Sequence, residues 1–181
     1  DPFWELPTFF GVPFEELWKD KHPTAWVDFE LGRIDNETFL QRFFGDGRDY
    51  DREGFLELFR SGYRWIEGSE ELLGELRDAG VAMHTLSNYP SWYQTIEERL
   101  GLSRYLPWTF VSCKTGVRKP DPAAFLGPAA ALGLPPESCL FVDDRGSNCK
   151  AAAAVGMQAL RFEGTPVLRG QLVELGVLQG D

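Results

Sequence analysis

Two different patterns of apolar positions divide the chain near residue 65. Before that point, apolar and aromatic residues recur at helical spacing in the segments FEELWKDK, TAWVDFELG, NETFLQRFFG and DREGFLELFRSGY. In the third segment Asn36 is placed to cap the helix, and Phe39, Leu40 and Phe43 form a stripe that we expect to face a core. The spacing therefore predicts a small helical cap subdomain over residues 1–65.

From residue 66 onward, helical segments alternate with short apolar runs. The helical segments are GSEELLGELRDAG, PSWYQTIEERLG, PAAFLGPAAALG and GSNCKAAAAVG, and the apolar runs are VAMHTLS, WTFVS, CLFVDD and MQALRF. Such alternation is typical of a parallel sheet with right-handed crossovers. We predict an α/β class with a Rossmann-like sheet over residues 66–181.

Composition narrows the function classes. The 181 residues include 18 Lys and Arg against 28 Asp and Glu, which gives a net charge of -10, and 43% are hydrophobic. The charge lacks the basic excess expected of a protein that binds nucleic acid or an anionic membrane. No apolar run is long enough to span a bilayer, and the printed sequence contains no targeting segment, so no membrane insertion is expected. Cys113, Cys139 and Cys149 show no CxxC spacing, which fits a reducing compartment.

Polar residues cluster at the ends of the predicted strands, where ligands bind in sheets of this kind. Ser87 ends VAMHTLS and Asn88 follows it, while Lys119 lies in the loop after WTFVS. A hydroxyl, an amide and a lysine at neighbouring strand ends are suited to hold an anion such as phosphate. Asp143 and Asp144 close the run CLFVDD.

The adjacent carboxylates of Asp143 and Asp144 leave two interpretations open. At the end of a buried strand they repel each other and require a cation, either Mg²⁺ or a lysine. Alternatively, they cap the following helix and form the turn that leads into it. Beside an anion site and a lysine, the pair suggests phosphoryl chemistry.

Three ordered segments resemble motifs of a known family. SNYP at 87–90, SCKTGVRKPDPAAF at 112–125 and FVDDRGSNCKAAAAVGM at 141–157 resemble motifs two, three and four of the haloacid-dehalogenase-like (HAD) hydrolase superfamily. The helical part is similar to the α-helical cap that this family inserts after its first strand. More narrowly, DPFWELPTFFG, KHPTAWVDFELG, SGYRWIEG and SNYPSWY are similar to plant and algal chloroplast proteins described as flavin mononucleotide phosphatases.

The resemblance implies Mg²⁺-dependent phosphomonoester hydrolysis through an aspartyl-phosphate, acting on a small phosphorylated metabolite in the chloroplast. Flavin mononucleotide is the candidate substrate. By position in the motifs, Ser87 would hold a phosphoryl oxygen, Asn88 would shape that site, and Lys119 would balance the charge of the nucleophile and the phosphoryl group. Asp143 and Asp144 would hold Mg²⁺, with Asp144 as the direct ligand.

The family's first motif, a DxD that supplies the nucleophile and the acid, does not precede the cap in this sequence. Asp1 corresponds to the residue just after that motif, so we expect the natural protein to extend upstream. The alternative is a catalytically inactive relative that serves as a structural or regulatory subunit of a larger chloroplast assembly, with protein partners. The retained lysine and carboxylates favour the enzyme.

Three tryptophans of the cap, together with Tyr89 in the segment SNYP, have two interpretations. Trp4, Trp18, Trp26 and Tyr89 are expected to pack in a core, and this is the favoured interpretation. They are also suited to stack on a flat ring system of the isoalloxazine type, which would make them part of a substrate site.

Overall fold

A computed structural model of the chain describes residues 2–180. Asp1, which the resemblance assigned to the position after the first motif, lies outside the described residues, as does Asp181. In chain order the helices are α1 (Leu6–Phe10), α2 (Phe14–Asp20), α3 (Ala25–Glu30), α4 (Asn36–Gln41), α5 (Arg52–Gly62), α6 (Ser69–Asp78), α7 (Tyr93–Leu100), α8 (Ser112–Thr115), α9 (Ala123–Ala131), α10 (Gly146–Ala154) and α11 (Thr165–Glu174). The strands are β1 (Leu86–Ser87), β2 (Phe110–Val111), β3 (Leu140–Asp143) and β4 (Gln158–Arg161).

The chain divides into two compact units. The first comprises the residues up to Arg64 together with Asn88–Arg104 and Val111–Gly116. The second comprises Trp65–Ser87, Tyr105–Phe110 and the chain from Val117 onward. The division after Arg64 lies one residue from the boundary expected at residue 65. However, α7 and α8 belong to the first unit, although the sequence analysis had assigned that stretch of chain to the Rossmann-like part.

The core of the first unit is aromatic. Phe39, Leu40 and Phe43, the stripe predicted on α4 and just after it, are 1%, 3% and 1% exposed. Phe29 stacks on Phe39 with ring centroids 4.7 Å apart. The buried cluster around them consists of Leu6, Leu17, Ala25, Phe29, Phe39, Leu40, Phe43, Phe44, Phe55, Phe59, Tyr63 and Trp92.

The predicted cap of α4 was wrong by one residue. Asp35 has the extended backbone of an N-cap, and its Oδ1 accepts a hydrogen bond from the Thr38 N–H at 2.8 Å. Asn36 is already helical, and its Oδ1 instead accepts a hydrogen bond from Trp92 Nε1 at 2.7 Å. A carboxylate therefore does the capping, and the amide fixes a buried indole.

The strands of the second unit are shorter than the apolar runs that predicted them. Before β1, the Val81 N–H donates to Leu76 O of α6, and Thr85 bonds twice to the segment before β2: its N–H donates to Pro107 O and its carbonyl accepts from the Phe110 N–H. Within residues 2–180, β1 pairs with β2, and β3 pairs with β4 in parallel, with Asp143 opposite Arg161.

The two faces of β3 differ in burial. Phe141 is 7% exposed and packs edge-on against Phe125, whereas Val142 is 38% exposed. The prediction of a buried strand is therefore correct for Phe141 and wrong for Val142. The reason is that successive side chains of a strand point to opposite faces.

Helix α11 was not predicted. It begins at Thr165, with Pro at its second position, and its Leu168 and Leu172 lie one turn apart and pack with Leu72 and Leu76 of α6. The Thr-Pro start and the leucine spacing are signals that could have identified it.

None of the helices described between residues 2 and 180 is long and apolar enough to cross a membrane.

Replacing Phe55 by alanine should destabilise the first unit severely. Phe55 is 0% exposed, with the rings of Phe43 and Phe59 at 4.9 and 5.1 Å, so the change leaves a large cavity. We expect the free energy of unfolding in urea to fall by about 3–5 kcal/mol. Trp4→Ala, at a position 75% exposed, should change it by no more than about 0.5 kcal/mol. Equal losses in the two variants would contradict this description of the core.

Candidate active site at the strand ends

Lys119 connects the ends of two strands in the second unit. Its Nζ donates a hydrogen bond to Asp143 Oδ2 at the end of β3 and another to Leu86 O in β1, both at 2.6 Å. The side chains of Lys119 and Asp143 are 8% and 7% exposed. Ion pairs this deeply buried are stable only when their geometry is good and further hydrogen bonds satisfy the remaining atoms.

The second oxygen of Asp143 is also engaged. Oδ1 accepts hydrogen bonds from the Arg145 N–H at 2.8 Å and from Asn148 Nδ2 at 3.0 Å. Asn148 lies in the first turn of α10 and is 5% exposed. Both oxygens of this carboxylate thus have protein donors, and the loop between β3 and α10 is closed over it.

The surroundings of Asp143 favour its charged form. Burial raises the pKa of Asp143, but the hydrogen bond and the charge of Lys119, with the donors from Arg145 and Asn148, outweigh burial and hold the pKa below its ordinary value of 3.8. The carboxylate is therefore ionised at neutral pH although its side chain is almost completely buried.

Asp144 is in a different environment from its neighbour. It is exposed, and its carboxylate makes no hydrogen bond or ion pair with any residue that the structure describes. Only its backbone carbonyl is engaged, by Arg161 Nε at 3.1 Å. Asp143 has features of both interpretations of the Asp-Asp pair: Lys119 is its compensating cation, and it accepts the Arg145 N–H in the turn that leads into α10. Asp144 has its oxygens open to a ligand.

The donor set can be compared with the needs of Mg²⁺. This ion is bound by oxygen ligands, often by one or two carboxylates with several waters and a substrate phosphate. The Asp144 carboxylate fits such a site. Among residues 2–180, no three His, Cys, Asp or Glu side chains come together in a group that could hold a metal. A Mg²⁺ ion at this place would therefore have the Asp144 carboxylate as one ligand, and its other ligands would not come from a cluster of His, Cys, Asp or Glu side chains among residues 2–180.

The structure brings together only some of the predicted site residues. Lys119 and Asp143 are in contact, and Ser87 is half-buried and follows directly on Leu86, whose carbonyl accepts from Lys119. Asn88 is also half-buried, but the division of the chain falls between Ser87 and Asn88, so that Asn88 belongs to the first unit. The phosphate-binding roles of Ser87, Asn88 and Lys119 and the metal-binding roles of Asp143 and Asp144 stay predictions.

Sequence reasoning gave no role to Asn148, although it lies within the quoted motif. A signal was available: Asn148 follows Asp143 by five residues, in the first turn of the predicted helix, where short polar side chains contact the preceding turn.

The three cysteines, Cys113, Cys139 and Cys149, are free, and burial raises the pKa of Cys113 and Cys149.

Replacing Lys119 by methionine should destabilise the protein in a pH-dependent way. At pH 7 and without metal, the free energy of unfolding should fall by about 3–5 kcal/mol, because the Asp143 carboxylate stays buried without its cation. The pKa of Asp143 is lower in the folded protein than its value of 3.8 in the unfolded chain. The ion pair therefore contributes its full stabilisation above pH 3.8, and this stabilisation is lost as the pH falls through the pKa of the folded state. The difference from wild type should therefore shrink below about pH 4.

The control for this measurement is Lys150→Met, at an exposed lysine of α10. It should leave the urea midpoint nearly unchanged at every pH. A loss in Lys119→Met that does not vary between pH 7 and pH 3 would show that packing, rather than the ion pair, accounts for it.

A family model and individual related proteins were compared with the chain, and they indicate the same family. The family model described as haloacid dehalogenase-like hydrolase matches residues 11–156. A protein of Arabidopsis thaliana named flavin mononucleotide hydrolase 1, chloroplastic, is 47% identical over 178 residues, which are 98% of this chain and 73% of that protein. The probable phosphoglycolate phosphatase of Pseudomonas putida is 32% identical over 138 residues, which cover 68% of this chain and 55% of that protein.

Solved structures show the same fold. A HAD-like family hydrolase from Porphyromonas gingivalis superposes with a TM-score of 0.72 at 21% identity, covering 93% of this chain and 88% of that chain. A HAD family enzyme from Bacteroides thetaiotaomicron, solved in complex with magnesium and inorganic phosphate, gives 0.67 at 21% identity over 83% of this chain and 79% of that chain. The α/β, Rossmann-like fold class predicted from the sequence is confirmed. Because the family model covers most of the chain and the Arabidopsis relative covers nearly all of it, the chain belongs to the haloacid dehalogenase-like hydrolases.

Proposed function

We propose that this protein is a Mg²⁺-dependent phosphomonoester hydrolase that acts through an aspartyl-phosphate on a small phosphorylated metabolite, with flavin mononucleotide as the first candidate. The observation that carries the proposal is the buried Lys119–Asp143 ion pair at the end of β3. The family and the names of the Arabidopsis and Pseudomonas relatives support it. The name of the Arabidopsis relative also supports a chloroplast location.

Lys119 would act by electrostatic stabilisation. Its ammonium is fixed by Asp143 Oδ2 and Leu86 O before any substrate arrives, so no reorganisation is needed when negative charge develops on a phosphoryl group. Ser87, next to Leu86 in β1, would donate its hydroxyl to a phosphoryl oxygen. The Asn88 amide would complete that part of the site.

Asp144 would hold the metal, because its carboxylate is the one with open oxygens. Bound there, Mg²⁺ would neutralise phosphate charge. Asp143 would contribute indirectly, by keeping Lys119 charged and in position. This assignment keeps Asp144 as the direct ligand, as the sequence analysis expected, and gives Asp143 an indirect role in place of the metal-binding role expected for it.

In this family the aspartate that becomes phosphorylated belongs to the first motif, ahead of the cap. The activity is accordingly proposed for the natural protein, and it has to be measured with that protein in full. The alternative, an inactive structural or regulatory subunit, is an outcome of the same measurements.

The activity prediction concerns Asp144 and Lys119. In the full-length natural protein, Asp144→Ala should abolish Mg²⁺-dependent release of phosphate from flavin mononucleotide, because the metal ligand is lost. Lys119→Ala should lower kcat by about 10²–10³-fold, the scale for losing one preorganised charge-stabilising donor. Phosphate release is measured with flavin mononucleotide and with phosphoglycolate, with and without Mg²⁺.

Matched controls are Glu174→Ala and Lys150→Ala, both at exposed positions. They should retain wild-type rates, and thermal unfolding should show that every variant is folded at the assay temperature. Near-normal rates in Asp144→Ala and Lys119→Ala would refute the mechanism. No phosphate release from either substrate by the wild type would favour the inactive subunit.

A metal-binding prediction does not depend on turnover. Mg²⁺ should raise the melting temperature of the wild-type protein, because a ligand that binds only the folded state stabilises it, by about 2.7 kcal/mol at one hundred times its Kd. Asp144→Ala should lose this shift, whereas the Glu174→Ala control should keep it. A wild type that gains nothing from saturating Mg²⁺ would argue against a metal at Asp144.

A further inference from the structure

Three large aromatic side chains of the first unit are exposed and lie in one row. Trp4, Phe14 and Trp18 are 75%, 37% and 55% exposed. The Trp4 and Phe14 rings are stacked with centroids 5.8 Å apart, and the Phe14 and Trp18 rings with centroids 5.1 Å apart. We name these three residues the α2 ring face. The expectation that Trp4 and Trp18 pack in a core is wrong, since more than half of each is exposed.

The α2 ring face is held in place by the core beneath it. Leu17, in the middle of α2, is 1% exposed and belongs to the buried cluster of the first unit. At the end of the helix the Lys21 N–H donates to Leu17 O at 3.0 Å, and the His22 N–H donates to Phe43 O at 2.8 Å. The Lys21 ammonium lies 3.9 Å from the centroid of the Trp18 ring and closes that end of the row. Rings that are already fixed lose little conformational freedom when another surface covers them.

A contiguous set of exposed rings differs from the single apolar side chains found on every protein surface. Soluble proteins rarely leave such patches uncovered, and patches rimmed by polar residues mark interaction sites. Tryptophan and phenylalanine are enriched at the centre of protein interfaces, where lysine and glutamate are depleted. The α2 ring face has this aromatic composition, and charged residues begin at its edge. It is therefore a surface suited to be covered by another protein.

Charges of both signs lie along the edge of the α2 ring face. Glu15 follows Phe14 and Lys19 follows Trp18, so these two charged residues form a second row beside the rings, one helical turn apart. Both are exposed, and neither side chain makes a hydrogen bond or an ion pair with any residue between 2 and 180. One edge of the surface thus presents a carboxylate and an ammonium that the described part of the chain leaves unpaired.

This pair of charges matches itself when the surface is reversed. In a two-fold symmetric contact the same surface meets itself, and residues i and j contact residues j and i. With ring face against ring face and the two α2 helices antiparallel, Glu15 of each copy lies opposite Lys19 of the other. A parallel arrangement would set like charges opposite each other, and an uncharged partner would leave both charges unmatched. The charge pattern therefore favours a second copy of the chain as the occupant.

We propose that the α2 ring face is a homodimer interface, in which two copies pack these rings together with α2 antiparallel and with two Glu15–Lys19 ion pairs at the rim. The proposal goes beyond the proposed phosphatase function and does not depend on it. The net charge of -10 in this sequence opposes association at long range, and salt screens that repulsion. The buried rings therefore supply the affinity, and the two ion pairs supply the orientation.

The test measures the association of the full-length natural protein by sedimentation equilibrium at about 0.15 M salt, where the Debye length is about 8 Å. The wild type should form dimers as its concentration rises. Trp18→Ala should raise the dimer Kd by about 30-fold, the scale for a central interface residue. Glu15→Lys and Lys19→Glu should each raise it by about tenfold, because both symmetry-related pairs change from attractive to repulsive.

Mixing the two charge variants separates this interface from any other. Glu15→Lys leaves two lysines on the rim and Lys19→Glu leaves two glutamates, so that each variant repels its own copy. An equimolar mixture should form heterodimers with a Kd close to that of the wild type, since every rim charge then faces its opposite. The double variant Glu15→Lys/Lys19→Glu exchanges the two charges and should also associate like the wild type.

Matched controls are Glu53→Lys and Lys150→Glu, which make the same changes in net charge at exposed positions outside α2. They should leave the dimer Kd nearly unchanged, both alone and mixed. If thermal unfolding shows that Trp18→Ala does not fold, the charge variants decide, because only a contact that pairs these two positions is restored by mixing them.

Two results would overturn the proposal. The first is a wild type that stays monomeric up to about 0.5 mM, which would leave the α2 ring face to a protein of another kind. The second is a dimer whose Kd is the same in the wild type, in Trp18→Ala and in both charge variants, because the interface would then lie elsewhere. Neither result would bear on phosphate release, which is measured separately.

Discussion

The ion pair between Lys119 and Asp143 is the interaction on which the organisation of the second unit depends. A lysine and an aspartate that are both more than nine-tenths buried must satisfy each other, and the remaining oxygen of Asp143 needs its own donors. Those donors come from the loop after β3 and from α10, and the lysine also bonds to β1. The Asp143 carboxylate thereby holds together the ends of β1 and β3, the start of α10 and the loop that carries Lys119. The geometry of the candidate site follows from the need to compensate this buried charge.

The first unit is stabilised in a different way. Its core consists largely of phenylalanine and other aromatic side chains packed edge-on and face-on, an arrangement that contributes through buried area and ring geometry. Against this apolar background Lys21 and Glu30 are exceptions. Their charged groups are in contact with aromatic rings, Lys21 Nζ with Trp18 and Glu30 Oε1 with the indole N–H of Trp26.

Local patterns in the sequence predicted most of the elements and the position of the site. Helical spacing located α2 to α7, α9 and α10 but not α1 or α8, and the polar residues at the ends of the apolar runs and in the loops that follow them located Asp143 and Lys119. What the sequence could not resolve was the set of donors that holds Asp143, because Lys119, the Arg145 N–H and Asn148 approach it from different parts of the fold. The contacts of Lys21 with Trp18 and of Glu30 with Trp26 were not predicted, because charged residues are usually exposed to solvent. Helix α11 was missed although its leucine spacing was visible.

The crowded environment of Asp143 limits how the family can vary at this position. Three donors from separate parts of the chain converge on its two oxygens at distances of 2.6 to 3.0 Å. A glutamate would carry the same charge, but its extra methylene would move the carboxylate away from all three donors at once. The neighbouring Asp144 is exposed, and no residue among those described holds its carboxylate. Two identical, adjacent residues are therefore constrained by different things: Asp143 by donors of the protein itself, and Asp144 only by the ligand that it is proposed to bind.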